Sequence, residues 1–177
     1  EIVCEEYDTD LNTLLFKAMF KSDLLVSKLK TIKLLVLDVD GVLTDGGMYF
    51  TESGDQFKKF NTKDGMAILH LTKKNFPVAI ISSGFKADLV QRRAEMLGIQ
   101  YCFVNRDPKI ETLKSICDEL NLGLDNVAFV GDDINDLELI KNVGFTACPR
   151  DAVNVVKSNV DGVLNNKGGE GCVDGTC

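Results

Sequence analysis

Residues 32–41 read Ile32-Lys33-Leu34-Leu35-Val36-Leu37-Asp38-Val39-Asp40-Gly41, an apolar run that ends abruptly in two acids. A short run of branched apolar residues without alternation is typical of a strand that is buried on both faces of a parallel sheet. Asp38 and Asp40 alternate along an extended stretch, and Gly41 lets the chain turn tightly after them. We therefore predict a buried strand at residues 32–37 with an acidic loop at its carboxyl end.

The rest of the chain repeats this alternation of strands with helices. Apolar runs predict further strands at residues 78–81, 101–104, 127–130 and 145–147. Apolar residues at helical spacing predict helices near residues 63–75, 90–97, 110–120, 137–144 and 152–156. Residues 48–51 and 56–61 flank a turn-rich tetrapeptide and predict a β-hairpin. Strands joined through helices form right-handed crossovers, so the expected fold is an α/β, Rossmann-like, doubly wound parallel sheet with a protruding β-hairpin.

The domain organisation follows from length and pattern. A chain of 177 residues has the size of one domain, and its 45% of apolar residues are enough for a sizeable core. Apolar residues between residues 11 and 30 recur at roughly helical spacing. We predict a helical N-terminal lead-in at 1–30, a core domain at 31–165 and a glycine-rich C-terminal tail at 166–177.

The charge balance argues against nucleic acid as a partner. The chain has 20 basic and 27 acidic residues and a net charge of −7, whereas a protein that binds phosphate backbones needs clustered Lys and Arg. No apolar run approaches the roughly 20 residues of a membrane-spanning helix. The acidic N-terminus lacks the features of a signal peptide. We expect a cytoplasmic protein with neither a nucleic-acid nor a membrane partner.

The six cysteines show neither metal-site nor redox-site spacing. Cys102, Cys117 and Cys148 lie in or beside apolar segments, which predicts that they are buried thiols. The roles of the other three stay open, because they lie near the two ends of the chain: Cys4, Cys172 and Cys177.

Polar clusters follow three of the predicted strands. They are Asp38-Val39-Asp40-Gly41, Ser82-Ser83-Gly84 and Gly131-Asp132-Asp133-Ile134-Asn135-Asp136. Parallel α/β sheets bind ligands beyond the carboxyl ends of their strands, so these clusters converge on one rim. Closely packed carboxylates repel each other unless a cation lies between them, and oxygen ligands favour Mg²⁺. The alternative is that the acids are helix N-caps, but two such clusters at the ends of apolar strands favour the metal site.

The order of these motifs resembles the haloacid dehalogenase superfamily. Its members carry a DxDGV/T motif after a strand, a Ser or Thr that ends the second strand, a Lys that starts a later helix and a GDDxxD-type motif. The matching residues here are Asp38-Val39-Asp40-Gly41-Val42, Ser82, Lys109 and Gly131-Asp132-Asp133-Ile134-Asn135-Asp136. Three further segments resemble the 3-deoxy-D-manno-octulosonate 8-phosphate phosphatases and the related nonulosonate 9-phosphate phosphatases: Thr44-Asp45-Gly46-Gly47, Phe60-Asn61-Thr62-Lys63-Asp64-Gly65 and Gly168-Gly169-Glu170-Gly171. The similarity covers roughly residues 30–173.

The resemblance implies a catalytic role for the first motif, and the chemistry of its residues agrees. Asp38 is expected to attack phosphorus and form an aspartyl-phosphate, which splits a difficult hydrolysis into two steps. Asp40 is expected to protonate the leaving oxygen and later to activate water. The expected cofactor is Mg²⁺, with Asp38, the backbone carbonyl of Asp40 and Asp132 as protein ligands.

The other motifs are expected to bind the phosphoryl group and to support the metal. Ser82 and Lys109 would bind phosphoryl oxygens, by a hydroxyl and by a point charge. Whether Ser82 or its neighbour Ser83 is the phosphate ligand stays open. Asp133 and Asp136 would either reach the metal through water or orient Lys109.

The resemblance also implies a small-molecule sugar phosphate as substrate and a homotetramer as the assembly. Superfamily members often shield the site with an inserted cap domain. The 44 positions from Asp38 to Ser82 are filled by the predicted hairpin and one helix. The 27 positions from Ser82 to Lys109 and the 23 from Lys109 to Asp132 are too few for a cap. We therefore expect no cap domain, and a hairpin that covers a neighbouring subunit's site. The expected substrate-binding residues are Asn61, Thr62, Lys63, Asp64, Gly65 and Arg93.

Three other functions were weighed against a phosphatase of 2-keto-3-deoxy sugar acids. A nonulosonate 9-phosphate phosphatase is the alternative within the same enzyme class. A non-catalytic relative that acts in assembly is disfavoured because Asp38 and Asp40 are both present. A phospho-acceptor signalling domain also uses an Asp at a strand end, but its chemistry lacks an acid or base two residues further on. Asp40 therefore argues against it.

Overall fold

The computed structural model describes residues 23–84 and 87–174, which form a six-stranded parallel sheet with helices on both faces. The helices are α1 (Asp23–Lys30), α2 (Thr62–Lys73), α3 (Ala87–Met96), α4 (Lys109–Leu120), α5 (Leu137–Ile140) and α6 (Asn154–Lys157). The strands are β1 (Leu34–Leu37), β2 (Tyr49–Phe50), β3 (Gln56–Phe57), β4 (Val78–Ser82), β5 (Tyr101–Val104), β6 (Val127–Val130), β7 (Phe145–Cys148) and β8 (Gly162–Val163). The sheet order is β5-β4-β1-β6-β7-β8, and β2 pairs with β3 in a separate hairpin. This topology confirms the predicted α/β class.

Strand β1 lies in the middle of the sheet and is buried on both faces. Leu35 and Leu37 pack in one hydrophobic cluster with residues of α2 and α3, such as Ile68 and Val90. Leu34 and Val36 pack in the opposite cluster with residues of α4, α5 and α6. All four residues of the strand are fully buried, which explains why its sequence is apolar without alternation.

The structure differs from the predicted elements mainly where the elements are short. The helix predicted over residues 137–144 is a 3₁₀ turn at Ile134–Asp136 followed by the single turn α5. Strand β8 was not predicted, because its two residues are too few for any periodicity. Strand β3 is shorter than the predicted residues 56–61, although Phe60 still forms an antiparallel bridge with Thr44.

The hairpin projects from the loop that follows β1. Tyr49 stacks on Phe57 across the hairpin, with ring centroids 5.6 Å apart. Met48, Phe50 and Phe57 are 70%, 55% and 51% exposed, so the hairpin leaves large apolar side chains uncovered in one subunit. Among the described residues 23–84 and 87–174, the segments between the polar clusters form the hairpin, strands and helices of the core. These segments contain no cap domain.

The segment predicted as a glycine-rich tail packs against the loop after β1. The backbone N–H of Gly169 donates to the carbonyl of Val42 at 2.9 Å. Cys172 and Val173 are buried in the same hydrophobic cluster as β1. The predicted lead-in lies outside the described residues up to residue 22, and the division at residues 30 and 165 stays a prediction.

The described cysteines are free thiols, and three of them are buried: Cys117, Cys148 and Cys172. Cys102 is only partly buried, which corrects the prediction for that residue. Across the part of the chain that the structure describes, no helix combines the length and apolar character needed to cross a membrane.

Candidate active site

Asp38 lies at the carboxyl end of β1, where it begins a tight turn over Val39–Leu43. Its carboxylate accepts a hydrogen bond from the Val39 N–H at 2.6 Å and is nearly buried. Gly41 in this turn has a φ of +83°, and a Cβ at that position would lie 2.0 Å from Asp132 Oδ2. Glycine is therefore required for the two acidic loops to approach each other.

Lys109 begins α4 and contacts two carboxylates below the rim of the sheet. Its Nζ lies 2.8 Å from Asp38 Oδ2 and 2.6 Å from Asp136 Oδ1. Burial lowers the pKa of Lys109, but the charges of Asp38 and Asp136 outweigh it and leave this pKa above its usual value. Lys109 therefore carries a positive charge, and Asp136 holds it against Asp38.

Asp136 also shapes the acidic loop that follows β6. Its Oδ2 accepts the backbone N–H of Asp132 at 2.9 Å and that of Asp133 at 3.4 Å. Asp133 is exposed, and its carboxylate accepts the N–H of Ile134 at 2.7 Å. Of the two roles expected for Asp136, its contacts support the orientation of Lys109.

Three carboxylates at this rim are close enough to share a metal ion. Oxygen atoms of Asp38, Asp132 and Asp136 all lie within 4.8 Å of one another. Burial raises the pKa of Asp38 to about 7, against the opposing charge of Lys109. Burial raises the pKa of Asp132 to about 7 as well, and the charges of Asp38 and Asp136 add to this effect.

Burial thus disfavours the charged forms of Asp38 and Asp132, and a cation between them would favour these forms. Asp132 Oδ1 is buried and has no hydrogen-bond partner among the described residues. A divalent cation would supply both the missing charge and the missing partner, and an all-oxygen donor set fits Mg²⁺. The residues present therefore fit the predicted magnesium site.

A cavity of about 540 Å³ opens over these groups. Asp38, Asp40 and Asp132 line its acidic part, and Ser82 and Ser83 line the wall from the end of β4. Ser82 is buried, whereas Ser83 is exposed and accepts a hydrogen bond from Asn135 at 3.4 Å. The hairpin closes the remaining side through Met48, Phe50, Gln56 and Lys58.

Lys58 is a cavity residue that the sequence analysis missed. Its ammonium forms an ion pair with Asp40 Oδ1, and its side chain is only 8% exposed. Gln56 and Lys58 both line the cavity, as expected for alternate residues of an extended strand, whereas the side chain of Lys59 is 66% exposed. The alternation of side chains along the predicted hairpin could therefore have predicted that Lys58, and not Lys59, faces the cavity.

The predicted substrate-binding segment lies beside the cavity rather than on its wall. Asn61 caps α2: its side-chain oxygen accepts the N–H of Lys63 at 2.9 Å. Its amide nitrogen donates to the carbonyl of Gly169 at 3.0 Å. Thr62 and Lys63 are exposed in the first turn of α2. None of these three residues lines the cavity that the described part of one subunit forms.

Asp64, Gly65 and Arg93 have structural contacts in one subunit. Asp64 is buried and accepts the backbone N–H groups of Val173 at 2.7 Å and Asp174 at 3.2 Å. Arg93 lies over the ring of Phe60, 5.7 Å from its centroid. Its guanidinium is so close to Gly65 that a Cβ there would lie 2.3 Å from it. These three residues also lie outside the cavity lining among the described residues.

The polar groups that the fold brings together are those of a metal-dependent phosphoryl-transfer site. A buried carboxylate, a buried ammonium and an acidic cluster meet at the carboxyl ends of β1, β4 and β6. A second carboxylate, Asp40, lies two residues after the first and faces the cavity. Carboxylate nucleophiles and acid–base groups with this placement belong to phosphohydrolases and related transferases.

Comparison with known proteins identifies the family. The sequence-family model that describes haloacid dehalogenase-like hydrolases matches residues 62–144. The 3-deoxy-D-manno-octulosonate 8-phosphate phosphatase KdsC of Salmonella typhi is 37% identical over 152 residues, which are 86% of this chain and 80% of that protein.

Solved structures agree with this match. A probable YrbI family phosphatase from Pseudomonas syringae pv. phaseolica 1448a is 42% identical, with a TM-score of 0.83 over 86% of each chain. The Moraxella catarrhalis 3-deoxy-D-manno-octulosonate 8-phosphate phosphatase, solved with a magnesium ion, a phosphate ion and KDO, is 32% identical, with a TM-score of 0.80 over 84% of each chain. This chain belongs to the haloacid dehalogenase-like hydrolases, in the same family as these octulosonate phosphatases.

Proposed function

We propose that this protein is a magnesium-dependent phosphatase that hydrolyses 3-deoxy-D-manno-octulosonate 8-phosphate through an aspartyl-phosphate on Asp38. The observation that carries the proposal is the buried contact of Lys109 with Asp38, a carboxylate that lines the cavity together with Asp40. The similarity to enzymes named for this substrate supports the choice of sugar.

The first half of the reaction transfers the phosphoryl group to the protein. A carboxylate oxygen of Asp38 attacks phosphorus, and the bond from phosphorus to the sugar oxygen breaks. The sugar oxygen takes a proton from the Asp40 carboxyl and leaves as an alcohol. Lys109 and Ser82 would bind the oxygens of the transferring group, because both lie at the same rim as Asp38.

The second half returns Asp38 to its starting state. A water molecule attacks the phosphorus of the aspartyl-phosphate while Asp40 takes a proton from it. The bond between phosphorus and Asp38 then breaks, which releases inorganic phosphate and leaves Asp40 protonated for the next cycle. Asp38, Asp132 and the Asp40 carbonyl would hold Mg²⁺, which supplies positive charge against the phosphate oxygens when bound.

Substrate recognition is proposed to involve a second subunit. The described part of one subunit leaves one side of its cavity bordered only by the hairpin. A homotetramer in which a hairpin covers a neighbouring site would add polar contacts that a single subunit lacks. In that assembly, Asn61, Thr62, Lys63, Asp64, Gly65 and Arg93 are proposed to contribute to sugar binding around the base of the hairpin. A cytoplasmic location also stays a prediction.

A panel of phosphate esters tests this function. Purified protein is assayed under identical Mg²⁺ with the eight-carbon acid 8-phosphate, nine-carbon acid 9-phosphates, hexose phosphates and p-nitrophenyl phosphate. We expect kcat/KM to be at least about tenfold higher for the eight-carbon acid, which is about 1.4 kcal/mol of transition-state binding. A preference for the nine-carbon acids would move the protein to the related group, and a preference for hexose phosphates would contradict both assignments.

A further inference from the structure

Two lysines enter the active site, and each contacts a different carboxylate of the first motif. Lys109 approaches from the start of α4 and contacts Asp38. Lys58 approaches from the opposite side, on the strand that leads back from the hairpin, and contacts Asp40. The mechanism above assigns a task to Lys109 but none to Lys58. A buried ammonium is costly unless it is paired, so its position calls for a physical reason.

The contacts of Asp40 are arranged asymmetrically. Both Lys58 Nζ and the Thr44 hydroxyl contact the same oxygen, Oδ1, the hydroxyl at 3.5 Å. The Asp40 side chain is 44% exposed toward the cavity, so packing alone does not fix its orientation. Because both contacts are made at Oδ1, Oδ2 is left for the substrate. A protonated carboxyl still accepts a hydrogen bond at Oδ1, and the contact therefore persists when Asp40 acts as acid and as base.

The base of the hairpin connects these two contacts. Thr44 and Phe60 form an isolated antiparallel bridge, and Lys58 lies two residues before Phe60 in the segment that follows β3. Thr44 also donates to the Val39 carbonyl at 3.2 Å, within the turn that carries Asp40. The hairpin base and the acid–base loop thus form one bonded unit.

We propose that Lys58 is a positioning residue that holds Asp40 in the orientation needed to protonate the leaving oxygen. This inference rests on the proposed function, because it requires Asp40 to be the general acid. It also gives the hairpin a second role, since the strand that borders the cavity carries the group that orients the acid.

The leaving group of the substrate separates this role from a structural one. A sugar alkoxide is a poor leaving group that needs a proton, whereas 2,4-dinitrophenolate leaves without one. We expect Lys58→Met to lower kcat/KM for the preferred sugar phosphate by about 10²-fold, because small misplacement of a catalytic group has effects of this size. The value for 2,4-dinitrophenyl phosphate should change less than about threefold, since general-acid assistance contributes little there.

Two further variants serve as controls. Lys59→Met changes the neighbouring lysine, which is exposed and contacts Asp45, and it should leave both substrates unaffected. Lys58→Arg keeps a charged donor near Oδ1 and should recover part of the loss with the sugar phosphate. Circular dichroism and thermal unfolding establish that each variant is folded; if Lys58→Met is not, Lys58→Gln takes its place.

A double-mutant cycle tests whether Lys58 acts through Asp40. In an Asp40→Asn background, Lys58→Met should cause no further loss in single-turnover rate with the sugar phosphate. An equal loss with both substrates, or an undiminished loss in the Asp40→Asn background, overturns the proposal and makes Lys58 a direct ligand of the substrate. Failure of the wild-type protein to hydrolyse any ester would instead contradict the proposed function, so the two failures are distinguishable.

Discussion

Asp38 and Asp40 are only two residues apart, yet their surroundings suit opposite tasks. The side chain of Asp38 is 7% exposed and is held between Lys109 and the backbone of the turn. The side chain of Asp40 is 44% exposed and faces the cavity. A nucleophile benefits from a fixed position, whereas an acid–base group must exchange protons with water between the two half-reactions. The tight turn at Val39–Leu43 creates this difference within a single loop.

Replacement of Asp38 by Asn should abolish turnover without loss of the fold. An amide cannot form the acyl-phosphate, so we expect less than about 1% of wild-type kcat, a loss of several kcal/mol of transition-state stabilisation. Asp118→Asn is the matched control, because Asp118 is an exposed acid in the last turn of α4, whereas Lys109 begins that helix. Steady-state assays and circular dichroism measure both properties. Activity above that level would exclude Asp38 as the nucleophile.

The acidic cluster should make catalysis depend on magnesium. We expect EDTA to abolish activity and Mg²⁺ to restore it, whereas Ca²⁺ should bind but support little turnover because its coordination is larger and looser. Calorimetry provides a readout that is independent of turnover. Asp132→Asn should weaken Mg²⁺ binding by at least about tenfold, and Asp118→Asn should leave it unchanged. Full activity after exhaustive chelation would contradict the metal site.

Asp64 should make stability depend on pH in a predictable direction. Burial raises its pKa from 3.8 to about 6, despite hydrogen bonds from Val173 and Asp174. A raised folded-state pKa contributes stability that is complete below pH 3.8 and is lost as the pH rises through about 6. The loss corresponds to about 3 kcal/mol at 1.36 kcal/mol per pKa unit.

Comparison with Asp64→Asn isolates this effect, because other titrating groups are common to both proteins. The amide oxygen can accept the same two backbone N–H groups but does not ionise. We expect the unfolding free energy of the wild type, relative to the variant, to fall by about 2.5 kcal/mol between pH 4 and pH 7.5 in urea titrations, because part of the loss has already occurred at pH 4. A difference that stays constant with pH, or grows in the other direction, would show that Asp64 does not titrate in this range.

The residues proposed for catalysis were predictable from sequence because their positions follow from the strands and helices. Asp38 and Ser82 end apolar runs, and Lys109 begins a helical stripe, so the topology alone brings them to one rim. Lys58 was not predicted because it follows the two-residue strand β3, which no apolar run marks, and its partner lies 18 positions away. The contacts of Asp64 were also beyond sequence reasoning, since they join residues 109 and 110 positions apart.

At the scale of elements, the glycine-rich segment illustrates the same limit. Its sequence was predicted only as a glycine-rich tail, but Gly168 packs directly on the loop after β1: a Cβ there would lie 1.9 Å from the Gly41 carbonyl oxygen. The central strands and the longer helices were predicted well because burial leaves a continuous apolar run in the strands and a helical period in the helices. Close backbone contact between distant segments leaves only a glycine in the sequence, and glycine has many other uses.

Gly168→Ala should therefore destabilise the protein and disturb the catalytic loop. The added methyl group meets backbone rather than a movable side chain, so we expect a loss of roughly 1–3 kcal/mol in unfolding free energy and a lower kcat. Gly123→Ala is the matched control, because the nearest atom to a Cβ there is 3.9 Å away and its φ is −85°. Thermal unfolding and steady-state kinetics on both variants test this. Equal stability of the two variants would contradict the close packing of Gly168.

At the scale of the whole molecule, the hairpin is the feature that a single subunit does not explain. Phe57 stacks on Tyr49 but is still 51% exposed, and Met48 and Phe50 beside it are more exposed. A protruding ribbon with such a surface is typical of an interaction site. The short segments between the polar clusters leave the cavity without a cap, so a cover from another copy of the chain would serve both needs.

We therefore expect light scattering to find a homotetramer at assay concentration, and Phe57→Ser to shift it toward smaller species. A buried phenylalanine stabilises an interface by roughly 1.5–3 kcal/mol, and the substitution removes one such side chain from every subunit. Met96→Ser is the matched control, because Met96 is 70% exposed and belongs to α3 rather than to the hairpin. Activity should fall with the loss of the tetramer, since each site would lose its cover. A wild-type monomer with full activity would rule out the assembly and show that the site needs no cover from a second subunit.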